Sequence, residues 1–334
     1  MEDKFEEILK QYPFQVRSRK RTRGGFLLET EQGLCLLTEY SSSLPRLEFE
    51  ERIKEKLSQQ GYQQLDIAYK NSKGEYFTKD AYRNNWIVRK WQSGTECDIR
   101  REEDVLHCAA HLGKLHKLMQ LGERQESDYC QKESIQGEME RHNKELKRVR
   151  SYIRNKKQKN EMEICLLNSF DLFYEQGYLA QSLLQESRYD ELWNQTLEQG
   201  RICHGNYTYH NVLLSPKGIA TTHFEKAEIG IQIRDLYQFM RKVMEKNGWE
   251  SSLGISVIKE YQKERSFEPG EGELLYTLLL YPEKYWKLVN FYYNNRKSWS
   301  PAKNLEKLKK ICHQQEQRMA CLEKIKGLLF SESL

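Results

Sequence analysis

The 334-residue sequence lacks long apolar runs, paired cysteine motifs and a strong charge bias. No apolar run approaches the roughly 18 residues of a membrane span, and the acidic N-terminus precedes no apolar segment, so we expect neither a membrane span nor a secretory signal. Eight cysteines without C-x-x-C spacing favour reduced thiols in a cytosolic protein over a zinc site or disulfide framework. A net charge of +5 is small for a dedicated nucleic-acid-binding protein.

The densest positive run occupies residues 17–23, with the sequence Arg-Ser-Arg-Lys-Arg-Thr-Arg. Our first interpretation is a solvated strand and turn. A patch that binds phosphate or acidic groups on a partner surface is the alternative. Nucleic-acid binding is the weakest interpretation, because no aromatic residues interrupt the run.

Hydrophobic periodicity changes along the chain from alternation to helical spacing. Alternating runs separated by glycine-containing turns predict an antiparallel meander, and later apolar positions recur at three- and four-residue intervals. The predicted strands are 14–16, 26–30, 34–37, 66–70, 75–78 and 85–91. Helices are predicted at 46–60, from 102 onward, along the charged stretch 131–163 and through 164–198. The sequence therefore predicts an α+β protein.

A hairpin is predicted near residue 215, because the apolar run 212–214 leads into the turn Ser-Pro-Lys-Gly and a second β-capable run follows at 219–222. The polar loop 204–211 precedes this hairpin, and Glu225 follows it. The two polar segments are thus predicted to lie at the same end of the hairpin.

This stretch resembles the His-Gly-Asp-x4-Asn loop and the Asp-Phe-Asp/Glu strand end of the aminoglycoside and choline kinase superfamily. The resemblance implies an Asp that takes the acceptor's proton, an Asn that holds Mg²⁺ and a second Asp that bridges metal and phosphates. Here Asn206 stands at the base position and His223 at the metal-carboxylate position. Asn211, His223 and Glu225 form the implied, vestigial metal site.

The two substitutions oppose efficient phosphoryl transfer. The Asn206 amide cannot accept a proton at neutral pH, and loss of a general base costs roughly 10² to 10⁴ in rate. The imidazole of His223 suits Zn or Cu better than Mg²⁺, which prefers oxygen ligands. Asn211 and Glu225 remain as weak metal ligands, so nucleotide binding stays open.

A nucleotide-binding corner is implied by the same resemblance. Gly24 and Gly25 are interpreted as a phosphate-covering turn or a plain hairpin turn, and Trp91 enters the hinge. Thr38 stands where related chains carry a phosphate-binding Lys. Arg89 or Arg17 is the candidate replacement in space for that missing cation.

Two further expectations concern charged side chains in predicted helices. Without a Lys at position 38 to pair with, Glu50 and Glu51 are interpreted as surface charges. Asp235 is expected to hold loop 204–211 through backbone hydrogen bonds, as the superfamily implies, or to be a charge that favours a helix N-terminus.

The chain also resembles the CotS-type spore coat proteins across residues 15–325, most specifically in segments 91–98, 234–249 and 281–308. This resemblance implies a bilobal protein-kinase-like fold. Its small antiparallel-sheet lobe would span residues 1–92. The larger, mostly helical lobe would span 93–334, with a vestigial catalytic loop (204–227) and aromatic C-terminal helices. It also implies synthesis in the mother-cell cytoplasm, incorporation into the spore coat and other coat proteins as partners.

The preferred hypothesis is a structural coat component, a pseudokinase without a cofactor. One alternative is an active ATP-dependent phosphotransferase acting on a small molecule or a coat protein. Another is a pseudokinase that binds ATP weakly or without metal. Thr38, Asn206 and His223 together favour the first hypothesis. They replace residues with three separate functions: the phosphate-binding lysine, the general base and the metal carboxylate.

Overall fold

The computed structural model describes residues 2–122, 125–294 and 302–331. The chain forms two compact units. Residues up to Cys130 and Leu197–Asp235 make up the first, and Gln131–Thr196 and the residues from Leu236 onward make up the second. These units are defined by spatial compactness, and the lobe boundary at 92–93 stays a prediction.

The first unit contains a five-stranded antiparallel sheet with strand order β1-β2-β3-β5-β4. Its strands are β1 (Val16–Thr22), β2 (Gly25–Thr30), β3 (Gly33–Glu39), β4 (Thr78–Lys79) and β5 (Asn85–Lys90). The predicted meander and the α+β class are confirmed. The predicted strand at 66–70 is wrong, because this segment contributes only an isolated bridge from Ala68 to Arg89.

Helices cover both faces of this sheet, so its central strand β3 is buried on both sides. Helix α1 (Glu2–Leu9) packs Phe5 and Ile8 against one face, where Leu28 and Val88 lie. Helix α2 (Leu44–Gln59) covers the other face, where its Leu47 joins a cluster with Ile87. Strand β1 remains an exposed edge.

Short strands and one long helix complete the first unit. They are β6 (Thr95–Glu96), α3 (Glu102–Leu118), β7 (Ile202–Cys203), β8 (Val212–Ser215), β9 (Gly218–Thr221) and β10 (Glu228–Ile229). Strands β8 and β9 pair antiparallel around a two-residue turn, which confirms the predicted hairpin. A single 3-10 turn, Phe224–Lys226, follows β9.

The remaining helices are α4 (Ile135–Asn155), α5 (Glu161–Glu186), α6 (Tyr189–Gln199), α7 (Ile233–Lys246), α8 (Ser251–Glu264), α9 (Glu271–Leu280), α10 (Glu283–Asn294), α11 (Ala302–His313) and α12 (Gln315–Ser331). Helix α4 buries Leu146, Val149 and Ile153, the apolar stripe that the sequence predicts there, in a core with α5, α10 and α11. Residues 295–301 of the aromatic C-terminal segment lie outside the described residues.

Two compositional features can be checked in the described residues. All eight cysteines are free thiols. None of the described helices combines the length and apolar character that a bilayer crossing requires.

Candidate functional site

Loop 204–211 is fixed at its start by the buried carboxylate of Asp235. Its Oδ2 accepts the backbone N–H of His204 at 2.6 Å, and its Oδ1 accepts that of Gly205 at 2.9 Å. His116 Nε2 lies 3.3 Å from the same carboxylate. Gly205 has φ of +71°, and a Cβ there would lie 2.3 Å from the carbonyl oxygen of Lys226, so only glycine fits. The function of Asp235 as loop support stays a prediction.

The far end of the loop is folded back on its beginning by Asn211. The Asn211 side chain donates from Nδ2 to the carbonyl oxygen of Asn206 at 2.9 Å. The Asn211 carbonyl accepts the backbone N–H of Thr222 at 3.0 Å, which ties the loop to the segment after β9. The side-chain Nδ2 of Asn211 forms a hydrogen bond within the loop, so the side-chain Oδ1 is the atom that remains for an external ligand.

The His204 imidazole connects the loop to the 3-10 turn. Its Nε2 donates to the Thr222 carbonyl at 3.1 Å, and its Nδ1 accepts the Asn206 N–H at 3.2 Å, an arrangement that requires the neutral ring. Burial lowers the pKa of His204, which also favours the neutral ring. The ring also meets Phe224 edge-on at 4.6 Å. Loop and turn therefore form one packed element.

The two predicted metal ligands after β9 bind each other. His223 adopts φ of +66°, which brings its Nδ1 to 3.2 Å from Glu225 Oε1. The same Glu225 oxygen accepts from Arg89 Nη2 at 3.3 Å. The carboxylate at the metal position thus already has two nitrogen partners within the protein.

Arg89 extends this contact to helix α2. Its guanidinium makes a bidentate pair with Glu50, with Nη1 to Oε1 at 2.6 Å and Nη2 to Oε2 at 3.1 Å. Arg89 and Glu50 are both fully buried. A planar guanidinium suits such a double contact better than an ammonium group does. Arg89 therefore bridges α2 and the turn that carries Glu225.

Lys54 is a second buried cation beside Arg89. Its Nζ lies 2.6 Å from Glu50, 3.0 Å from Glu51 and 2.9 Å from Asp66, and its side chain is fully buried. The interpretation of Glu50 and Glu51 as surface charges is wrong, because both are buried in this network. Lys54 on α2, which the sequence analysis did not single out, and Arg89 on β5, one of its two candidate cations, are the partners of Glu50 and Glu51.

The network sets the protonation of its acids and of His223. Burial raises the pKa of Glu225, but the hydrogen bond from His223 and the charge of Arg89 outweigh it and bring that pKa to about 2. Burial lowers the pKa of His223, but Glu225 outweighs it and the net shift is upward. Burial raises the pKa of Glu51 above its ordinary value. Glu225 is consequently ionised throughout the physiological range, and its charge favours the protonated form of His223.

The predicted nucleotide-binding residues lie at two places. Thr38 donates from Oγ1 to the Gly24 carbonyl at 2.9 Å and lies opposite Gly25 in the β2–β3 register, so these three residues are brought together. Trp91 lies elsewhere, with its ring edge-on to His223 at 5.7 Å. The turn before β2 has only two residues between the paired Thr22 and Gly25, and so is a tight hairpin. A nucleotide-binding function for these residues stays a prediction.

The donor set does not fit Mg²⁺. Its three candidate ligands provide one carboxylate, one amide oxygen and one imidazole, and the carboxylate already faces Arg89 and His223. Within the described ranges, no group of three or more His, Cys, Asp or Glu side chains has the geometry of a metal site. We therefore assign no chemical step to a metal here.

Sequence reasoning missed Lys54 and Asp66 and left Arg89 as one of two options. A signal for Arg89 existed, because an arginine that directly follows the apolar residues 86–88 of a buried strand needs a partner. A signal for Lys54 was its spacing of four from Glu50 and three from Glu51 on one helix. Nothing local marked Asp66.

The fold and the loop geometry define a protein with the kinase-like fold of aminoglycoside phosphotransferases. An aminoglycoside phosphotransferase from Alicyclobacillus acidocaldarius subsp. acidocaldarius DSM 446 has a TM-score of 0.87 at 16% identity, covering 98% of this chain and 96% of that one. AMP-bound spectinomycin phosphotransferase APH(9)-Ia has a TM-score of 0.69 at 10% identity, covering 96% and 98%. The microcompartment-associated aminopropanol kinase has a TM-score of 0.56 at 14% identity, covering 95% and 97%. At these identities the similarity shows the fold alone.

The family is shown by the sequence itself. Residues 5–325 match the family described as "Spore coat putative kinase YutH". The chain belongs to this spore coat kinase family, which confirms the resemblance to CotS-type spore coat proteins and the kinase-like fold that it implied. A search of curated proteins found no match.

Proposed function

We propose that this protein is a spore coat component that uses its kinase-like scaffold for assembly and does not transfer phosphate. It would be made in the mother-cell cytoplasm, be incorporated into the coat and contact other coat proteins. Membership of a spore coat family supports the location. The absence of catalytic function is argued from the side chains of the site.

The observation that carries this proposal is the position of Arg89 between Glu50 and Glu225. In active kinases, the glutamate of the small-lobe helix pairs with a phosphate-binding lysine, and the magnesium carboxylate stands at the position that His223 occupies here, two residues before Glu225. Here one permanent cation of this chain contacts both acids. Arg89 Nη2 lies 3.3 Å from Glu225 Oε1, so its positive charge would repel a divalent ion bound to Glu225. Solvent and salt screen this repulsion only weakly, because the setting is buried.

The proposed consequence is that Arg89 replaces the ligand as a structural element. It joins α2 to the 3-10 turn, and Asp235 and Asn211 hold loop 204–211 against the same turn. The scaffold is then complete without nucleotide. Such a protein presents a constant surface to partners, whatever the ATP concentration.

Thermal unfolding with ATP, with and without Mg²⁺ or Mn²⁺, tests the proposal. A ligand at 100 times its Kd adds about 2.7 kcal/mol to stability, which is readily measured. We expect no shift in Tm and no phosphate transfer to coat proteins or small amino alcohols. An active aminoglycoside phosphotransferase in the same assay is the positive control. Enzyme-like turnover would overturn the proposal.

A second candidate function is a divergent phosphotransferase. The bond from Asn211 to Asn206 keeps the loop closed, and the Arg89–Glu50 pair resembles a displaced version of the lysine–glutamate pair of active kinases. This candidate predicts Mg²⁺-dependent stabilisation by ATP. A shift with ATP that needs no metal would instead favour the nucleotide-binding pseudokinase.

Imaging a fluorescent fusion in sporulating cells tests the proposed location. We expect signal in the mother cell first and in the coat later, for the unmodified chain and for Asn206→Ala alike. Loss of coat signal in Asn206→Ala would indicate that the chemistry of the loop matters for assembly.

A further inference from the structure

Within the described residues, no strand pairs with the outer edge of β1. It is the first strand in the order β1-β2-β3-β5-β4, and six of its seven residues are exposed. An exposed edge offers a row of N–H and C=O groups to any extended segment that can pair with it. The register shift between Val16 and Ser18 is a local irregularity at its start.

The side chains of this edge carry positive charge that the described chain does not neutralise. Arg17, Lys20, Arg21 and Arg23 are exposed, and none of them takes part in an ion pair among the side chains that the structure describes. Arg19 differs, because its guanidinium lies over the rings of Phe5 and Phe26 at 5.2 and 5.8 Å. Charged side chains protect sheet edges from aggregation, and five cations lie within residues 17–23.

A groove of about 870 Å³ runs beside the start of this strand. It lies between α1 and β1, and its apolar lining residues are Leu9, Phe14 and Val16. Strand addition combines backbone pairing with pockets for alternate side chains, and this groove provides such a pocket next to the unpaired edge.

We propose that β1 binds an extended acidic peptide segment of a partner protein by strand addition. Backbone pairing would supply the register, and peptide carboxylates would meet the unpaired cations, of which the consecutive Lys20 and Arg21 lie on opposite faces of the strand. A second copy of this chain is a poor occupant, because pairing two β1 edges would place like charges opposite each other. Nucleic acid is disfavoured, because β1 itself has no aromatic residue on which bases could stack.

Fluorescence polarisation with short synthetic peptides tests the proposal on the full-length protein. The probe is an eight-residue peptide that alternates Glu and Val. Its controls are the Gln-Val peptide of the same length and two Glu-Val peptides that are N-methylated along one edge or the other. We expect binding of the Glu-Val peptide, at least tenfold weaker binding of the Gln-Val peptide, and a similar loss for only one N-methylated form.

A matched pair of protein variants separates local charge from total charge. The edge variant is Arg17→Gln/Lys20→Gln/Arg21→Gln/Arg23→Gln. The control variant removes four exposed lysines of α11 and α12 instead: Lys303→Gln/Lys307→Gln/Lys310→Gln/Lys324→Gln. We expect at least tenfold weaker peptide binding for the edge variant and less than a twofold change for the control. Circular dichroism checks that both variants are folded.

The same assay can overturn the proposal. Equal binding of both N-methylated peptides would show that the backbone edge is not used. Tighter binding and competition by oligo-dT or by vesicles with anionic lipid would assign the patch to another class of partner. Absence of binding by the Glu-Val peptide would also refute it. Amide hydrogen exchange should show new protection in residues 16–22 when the peptide is bound. The proposal does not depend on the ATP measurements, so the two can fail separately.

Discussion

At the scale of single residues, Arg89 is the side chain on which the buried network depends. It is fully buried and contacts Glu50 and Glu225. Removal of one partner from a buried ion pair leaves the other charge uncompensated and costs about 3–5 kcal/mol. We predict that Arg89→Met, which keeps most of the volume, lowers the free energy of unfolding by about 3 kcal/mol in urea titrations.

Arg141 provides the matched control for this prediction. It also pairs with a carboxylate, Glu133, but the two side chains are 47% and 41% exposed. Exposed ion pairs contribute about 0–1 kcal/mol, so Arg141→Met should change stability by less than about 1 kcal/mol. Equal losses of stability in the two variants would show that the buried Arg89 network stabilises the fold no more than an exposed ion pair does.

His111 should make the stability of the protein depend on pH. Its Nε2 lies 3.0 Å from Thr221 Oγ1 and 3.2 Å from Tyr62 Oη in the interior. Burial, with a contribution from Lys114, lowers its pKa to about 4. Between pH 6.5 and 4 the unfolded chain therefore binds a proton that the folded chain does not. Stability from this group is complete above pH 6.5 and decreases as pH falls toward 4.

We predict that the free energy of unfolding depends less on pH in His111→Gln. Between pH 6.5 and 4 the variant should lose up to about 3 kcal/mol less stability than the unmodified protein does. Urea unfolding at pH 7, 5.5 and 4.5 measures it. Tyr62→Phe removes a neighbouring hydroxyl but keeps the imidazole, so it should lower stability at every pH and retain the slope. A His111→Gln variant with the original slope would contradict the prediction.

The sequence indicates some of the residues that the structure brings together here but not how they pair, and it gives no indication of Asp66. Asn211, His223 and Glu225 are recognisable because they fall within one short motif. The Arg89–Glu50 and Arg89–Glu225 contacts join residues 39 and 136 positions apart, so no local spacing indicates them. A glutamate of α2 without a visible sequence partner therefore reads as a surface charge until these contacts are known.

At the scale of elements, Asp235 has two possible functions that an experiment can separate. It either fixes loop 204–211 through hydrogen bonds, here called the loop clamp, or only favours the N-terminus of its helix. It lies in the first turn of α7 and accepts two backbone N–H groups of loop 204–211. Hydrogen bonds to a charged acceptor contribute about 1.5–3 kcal/mol each. We predict that Asp235→Asn destabilises the protein by about 2–3 kcal/mol and reduces hydrogen-exchange protection at residues 204–211.

Asp190 is the control for the alternative explanation. It lies in the first turn of α6 and is exposed, so its contribution is limited to the helix dipole, about 0.3–1 kcal/mol. Asp190→Asn should therefore have a small effect and leave the loop protected. If Asp235→Asn behaves in the same way, Asp235 is only a favourable helix charge.

Elements whose signal is local were predicted well. The β8–β9 hairpin has its turn residues between two apolar runs, and the meander has glycine at each turn. The arrangement of strands was harder, because β5 inserts between β3 and β4 and brings Arg89 opposite Leu36. The pairing of β3 with β5 joins strands that are separated along the chain by α2 and β4. Neither a turn motif nor a hydrophobic period in the sequence indicates such a pairing.

At the scale of the whole molecule, the fold is retained while the cation arrangement differs from that of an active kinase. Asp235 and Asn211 form hydrogen bonds within or to loop 204–211, whereas Arg89 and His223 both contact Glu225. Under the proposed function, the Asn206 amide at the base position is therefore not the single obstacle to phosphate chemistry. Restoring the base alone should then change nothing.

We predict that Asn206→Asp alone gives no thermal shift with ATP and Mg²⁺ and no turnover, because Glu225 still faces Arg89. The combined variant Thr38→Lys/Arg89→Leu/Asn206→Asp/His223→Asp should acquire a Mg²⁺-dependent shift. Thr38 lies on the same sheet face as Arg89, so a lysine there can reach Glu50 in its place. Asp at position 223 adds the oxygen ligands that Mg²⁺ prefers.

Differential scanning fluorimetry and a coupled ATPase assay measure both variants, and the combined variant with Asn211→Ala is the control for metal binding. Loss of the shift in that control would place the metal at loop 204–211, where Asn211 offers its side-chain Oδ1. Turnover by Asn206→Asp alone would show that Arg89 does not block the site, since one carboxylate would then be enough to restart the chemistry. In that case the divergent phosphotransferase, and not the inert scaffold, is the better description of this protein.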